Sequence, residues 1–179
     1  YQPSRGLGDV YKRQVEATHV IAFTGDPDAM NAMYSAGQND EWQVMMGTFD
    51  QLTESKGSAA GRSIHTFNME GEGPIHHILQ LNVDDPGKYA PAFKKMWTTI
   101  KPDNRLTLGQ FVSGRSDGVS HYILAANDDF KDLVTRREWN DKERAAWQTY
   151  RKERGDMEIV STMTRACLLY TSPSPRDGW

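Results

Sequence analysis

Apolar and polar residues alternate from Ile75 to Val83 (IHHILQLNV), the period-two pattern of a strand with one covered face. Asp84-Asp85-Pro86-Gly87 then stops the run with turn residues. From Tyr89 to Ile100 the period changes, and Tyr89, Phe93, Met96, Trp97 and Ile100 form one stripe of a helix, with Pro102 just past its end. Alternation returns over Arg105–Ser113, Gly114–Gly118 supplies a turn, and Val119–Ala126 reads as a third strand. Two short helices are expected next, over Asp128–Arg137 and Asp141–Glu153. Asn140 followed by Glu143 is a capping-box pattern at the start of the second, and Gly155 is a natural stop. Met157–Thr164 closes the series as a last strand.

The order is β-α-β-β-α-β, the split βαβ arrangement of ferredoxin-like domains. A degenerate internal repeat extends it. Thr18-His19-Val20-Ile21-Ala22 recurs roughly 100 residues later as Ser120-His121-Tyr122-Ile123-Leu124, and Asn39-Asp40 recurs as Asn140-Asp141. Met46 and Phe49 match Trp147 and Tyr150, and Ser63–Phe67 matches Ile159–Met163 as a β-rich stretch. The fold class expected is α+β, with tandem ferredoxin-like units of which the first is N-terminally truncated. Residues 15–72 would hold the partial first unit (β-α-β), and residues 73–166 the complete second one.

The two ends do not continue these patterns. Residues 1–14 carry no periodicity, and residues 167–179 include Ser172-Pro173-Ser174-Pro175, which can extend neither a helix nor a central strand. Both closely resemble translated sequencing-adapter read-through, and both are expected to be non-native tails outside the fold.

Composition narrows the function classes. The 179-residue chain has a formal net charge of −3 and a single cysteine. Setting the ends aside removes Cys167, four basic and two acidic residues, and makes the remainder more acidic still. A cysteine-free domain has no nucleophilic thiol and no thiolate metal site, and it fits a reducing, cytoplasmic compartment. An acidic chain without clustered Lys and Arg argues against nucleic acid as a partner. No apolar run is long enough to cross a membrane. No Gly-x-Ser-x-Gly elbow, His-Glu-x-x-His pair or phosphate-binding Gly-Lys-Ser/Thr is present.

Element order and tandem arrangement over Thr18–Ala166 resemble the dimeric α/β-barrel superfamily, which includes cofactor-independent antibiotic-biosynthesis-type monooxygenases and NIPSNAP-like proteins. That resemblance rests on no diagnostic motif. It implies paired sheets enclosing a cavity, a homodimer or its tandem equivalent, and no cofactor.

Strand geometry sorts the candidate chemistry. Ile75, His77, Leu79, Leu81 and Val83 should face the helices, whereas His76, Ile78, Gln80 and Asn82 should face the open side. His76 and His77 therefore cannot share a metal, and no metal site is expected. His76 and His121 are the candidate catalytic groups, each expected toward an opposite end of the sheet; Gln80, Asn82 and His19 are the candidate ligand-binding groups. The stripe Trp42, Met45, Met46, Phe49 and Leu52 reads as core packing. The function expected is binding of a small, mostly apolar molecule between the sheets, with cofactor-independent oxygenation or isomerisation as its enzymatic form. The alternative is a non-catalytic module that buries the same faces in an interface.

Overall fold

A computed structural model describes residues 21–36, 40–71, 73–115, 118–135 and 137–166. The chain divides into two compact units, Val15–Ser58 and the remainder from Ala59 onward. In the first, Asp26 precedes a helix and its carboxylate accepts from the Ala29 N–H at 2.8 Å. That helix, α1, runs Pro27–Ala36, with proline at its first position, where no N–H is needed. A second helix, α2, covers Asp40–Leu52. Phe23 lies 5.8 Å from Trp42, ring centre to ring centre. The stripe expected to be core is not buried here: no residue of α2 is buried, and Leu52 is 77% exposed. Among the described residues these helices have no sheet of their own unit to cover the stripe. Ile21 and Ala22 are in no strand, while Thr18, His19 and Val20 lie outside the described residues.

The second unit is an α+β fold with one open antiparallel sheet. Its strands are β1 (Ala60–Phe67), β2 (Ile75–Val83), β3 (Leu106–Ser113), β4 (His121–Asn127) and β5 (Met157–Ala166), in the spatial order β1-β3-β4-β2-β5. Helix α3 (Pro86–Ile100) connects β2 to β3. A short α4 (Phe130–Val134) and then α5 (Asp141–Glu153) connect β4 to β5. From β2 to β5 both connectivity and strand order are compatible with a ferredoxin-like fold. The strand expected to close the first unit instead adds to the outer edge of β3, from Ala60 opposite Ser113 to Phe67 opposite Leu106.

The helix start at Pro86 shows why local turn chemistry misleads. Asp85 accepts from the Lys88 N–H at 3.2 Å and Pro86 takes the first helical position, so Asp-Pro-Gly begins α3 rather than separating it from the strand. Tyr89, Phe93, Met96 and Ile100 then bury one face of α3 against Leu81, Val83, Leu106, Leu108 and Tyr150. Full burial of such side chains contributes about 1.5–3 kcal/mol each. The helix expected over Asp128–Arg137 is only five residues long, and Trp139 stands outside any helix.

At α5 the capping box is complete. Asn140 Oδ1 accepts from the Glu143 N–H at 3.0 Å, and Glu143 Oε2 accepts from the Asn140 N–H at 2.9 Å. Replacing Asn140 by alanine is expected to lower stability by about 1 kcal/mol, read from a chemical denaturation curve with unchanged slope. Gly155, at φ +71°, lets the chain leave α5 in the left-handed region and enter β5. No helix among the described residues is long and apolar enough to cross a membrane.

Candidate functional site

The sheet register decides which side chains meet. Leu79 and Leu81 on β2 stand opposite Ile123 and His121 on β4, and these positions face α3 and α5. The alternate positions make the other face. Ile78 pairs with Leu124 and Gln80 with Tyr122, while across the other edge His76 pairs with Arg165, Ile78 with Met163 and Gln80 with Ser161. Thr107 and Gly109 continue that face into β3.

Gln80 is the most buried polar group on this face, 6% exposed. Its side-chain oxygen accepts from Arg115 at 2.7 Å and from the Ser161 hydroxyl at 2.9 Å. The Arg115 guanidinium also sits 5.7 Å from the Phe111 ring centre. Phe111 in turn lies 5.1 Å from Tyr122. The Tyr122 ring lies over β3 because Gly109 has no side chain. A Cβ there would stand 2.0 Å from Tyr122 Cζ, and one at Gly61 would be 3.1 Å from Cε1. Two glycines on adjacent strands thus make a seat for one aromatic ring.

At the other end of the face, Arg165 Nε and Nη2 lie 3.1 and 3.0 Å from His76 Nδ1. A guanidinium only donates, so this nitrogen must be a lone-pair acceptor and the imidazole is neutral. Burial holds the His76 pKa below its ordinary value, and the charges of Arg165 and Arg105 push the same way, against a hydrogen bond to the Gly73 backbone. Asn82 is half-buried on the same face, opposite Glu158.

His121 does not join this group. It is fully buried on the helix face, its ring 6.3 Å from that of Tyr89. Its Nδ1 lies 2.9 Å from Ser120 Oγ, and its Nε2 has no hydrogen-bond partner among the described residues. Five residues separate His76 and His121 along the register, roughly 17 Å at the rise of an antiparallel strand. The opposite-ends expectation agrees with this register, but the two histidines also point to opposite faces. His19 lies outside the described residues. Among those described, no group of three His, Cys, Asp or Glu gathers to hold a metal.

Tyr122, Phe111, Arg115, Ser161 and Arg165 join this face only through the pairing of strands. Alternation alone would have put Tyr122 and Leu124 on one face of β4. Matching that face to Gln80 needs the pairing register, which residues distant in sequence decide.

Burial lowers the pKa of His121, His77, His76 and His65 from the ordinary 6.5, with Lys94 adding to the effect at His65. Below pH 6.5 the unfolded chain therefore binds protons that the folded chain does not. Stability is full above that pH and is lost as pH falls from there through the lower folded values. A melting series from pH 7.5 to 5.5 is expected to show a falling Tm, flattened by His121→Phe. A wild-type Tm that holds constant across the range would contradict this.

Fold and face together define a class: an α+β unit of β-α-β-β-α-β connectivity with one open antiparallel sheet, one face of which is covered by its own two long helices. The chain matches no family model, and no curated protein or solved structure is significantly similar to it.

Proposed function

We propose that the face of the sheet opposite α3 and α5 binds a small, mostly apolar molecule, closed over by a second sheet in the tandem barrel arrangement that the sequence resemblance implies. One observation carries this reading: an apolar strip of Ile78, Leu124, Tyr122 and Phe111 runs between two hydrogen-bonded arginine anchors, Arg115–Gln80–Ser161 and Arg165–His76. An apolar floor with few, placed polar groups is the usual composition of a small-molecule site. The anchors suit a ligand with an acceptor or anionic head. Gln80, Asn82 and His76 stand on the binding face, and in an enzymatic form, whether oxygenation or isomerisation, His76 would serve as base once Arg165 moves off its Nδ1 lone pair.

The second reading is a non-catalytic module whose face is buried against a partner sheet. The flat seating of Tyr122 on Gly109 and Gly61 favours it, because a level aromatic surface suits sheet-on-sheet packing.

Anilinonaphthalene sulfonate, an apolar ring system with one anionic head, separates the two. Its fluorescence titration should saturate on the wild-type chain, and Gln80→Leu or Tyr122→Ala should each weaken it about tenfold, the loss of roughly one good contact. Equal affinity in all three proteins would leave the interface reading in its place.

A further inference from the structure

A groove of about 1,120 Å³ opens between the C-terminal end of α3, the chain around α4 and the start of α5. Trp97, Trp139 and Trp147 line it. Trp139 and Trp147 meet at 63° with ring centres 5.6 Å apart, so the wall is formed by ring faces at two angles and not by one flat surface.

The charges in this groove are unequal. Asp103, Asp128 and Asp132 line it together with Arg105 and Arg137. Arg137 is spent on carboxylates: it pairs with Asp103 at 3.1 Å and with the buried Glu143 at 2.9 Å, and it also donates to the Lys101 carbonyl at 3.2 Å. Arg105 is turned onto the Met69 carbonyl, at 2.6 and 3.2 Å. Asp128 accepts only from the neutral amide of Asn104, at 3.1 Å. Neither Asp128 nor Asp132 has a cationic partner among the described residues. With Asp103 paired to Arg137, Asp128 and Asp132 line the same groove as three indoles, against the one further cationic side chain, Arg105.

We propose that this groove binds a small organic cation, an ammonium carried on an apolar body. Indole faces attract cations through the ring quadrupole, tryptophan most strongly of the aromatic side chains, and the neighbouring carboxylates supply the opposite charge. An anion would meet the carboxylates of Asp128 and Asp132. A neutral apolar molecule would gain the indole contacts and nothing from the charge. The site shares none of the anchoring side chains of the proposed binding face, although its lining residue Ala126 pairs with His76 and the charge of Arg105 acts on that histidine.

Choline and 3,3-dimethylbutan-1-ol test the proposal, because they have nearly the same shape and differ in carrying a cationic nitrogen or a neutral carbon. Titrations are followed by the indole N–H signals in a nitrogen–proton correlation spectrum of the full chain. Choline is expected to shift the signals of Trp97, Trp139 and Trp147 saturably, and the neutral alcohol to bind about tenfold more weakly. The paired substitution Asp128→Asn and Asp132→Asn should remove most of that difference while leaving the fold intact, since both carboxylates lie in exposed chain. Trp147→Phe should weaken choline binding less than Trp147→Ala, which separates loss of a ring face from loss of the fold. Equal affinity for the two probes would overturn the cation proposal, as would the absence of any shift with choline at tens of millimolar or an unchanged preference in the doubly neutralised variant.

Discussion

Replacing Phe93 by alanine is expected to cost about 3–5 kcal/mol, the range for truncating a buried aromatic. Phe93 is 1% exposed and stands at the meeting point of three elements. Its ring lies 6.2 Å from Phe67 on β1, 6.2 Å from Tyr89 and from Trp97 on α3, and 6.5 Å from Tyr150 on α5. The cavity left behind cannot collapse easily, because the sheet on one side and α5 on the other are fixed by their own contacts. Small domains are stable by only about 5–15 kcal/mol, so this one change removes a large share of the total. Phe67 loses its partner on the helix layer, so amide exchange in β1 should rise more than in β2, which is paired on both sides. A denaturation midpoint close to wild type would show that the aromatic cluster is not the core of the unit.

The second large effect concerns Gly109. Where the backbone permits it, alanine is normally the better residue than glycine, since it restricts the unfolded chain. Here the sign should reverse: the added Cβ would sit 2.0 Å from Tyr122 Cζ and 2.3 Å from its hydroxyl oxygen. The ring must leave its seat, and Gly109→Ala is expected to destabilise by about 1–3 kcal/mol, the range for overpacking. The cause can be isolated. In a Tyr122→Ala background the obstructing ring is gone, and Gly109→Ala should become neutral or stabilising. The two changes should therefore be strongly non-additive in a double-mutant cycle. Additivity would mean that Tyr122 does not rest on Gly109 in solution.

Some of this structure could be read from residues in a row. The strand Ile75–Val83 follows from its alternation, because one covered face imposes a period of two. The capping box at Asn140 and Glu143 and the glycine stop at Gly155 follow from backbone groups that only those side chains, or no side chain, can satisfy. Other features depend on distant partners. Nothing local in Ala60–Phe67 says that it pairs with β3, because an edge strand chooses its neighbour by a register written in both sequences. The apolar stripe of α2 obeys the helical period, yet periodicity states which face could be buried and not whether a layer is there to bury it.

The candidate site divides along the same line. His76, Gln80 and Asn82 were assigned to one face by alternation on a single strand, and the register agrees with that. His121 sits at the expected end of β4 but on the helix side, because its pairing with Leu81 fixes its direction. The arginine anchors and the Tyr122 seat are not legible along the chain because each joins residues distant in sequence: Gln80 with Arg115 and Ser161, His76 with Arg165, and Tyr122 with Gly109 and Gly61. The tryptophans of the groove were legible as residues, but not as a wall that Trp139 completes from outside any helix.

The central claim is that the face carrying Gln80 and Tyr122 holds a small molecule. Native mass spectrometry of the purified chain, beside a Gln80→Leu/Tyr122→Ala variant shown to be folded by its near-ultraviolet circular dichroism, tests it most directly. A discrete small-molecule mass is expected on the wild-type chain and not on the variant. A bare wild-type mass, or an adduct that survives both substitutions, would contradict it.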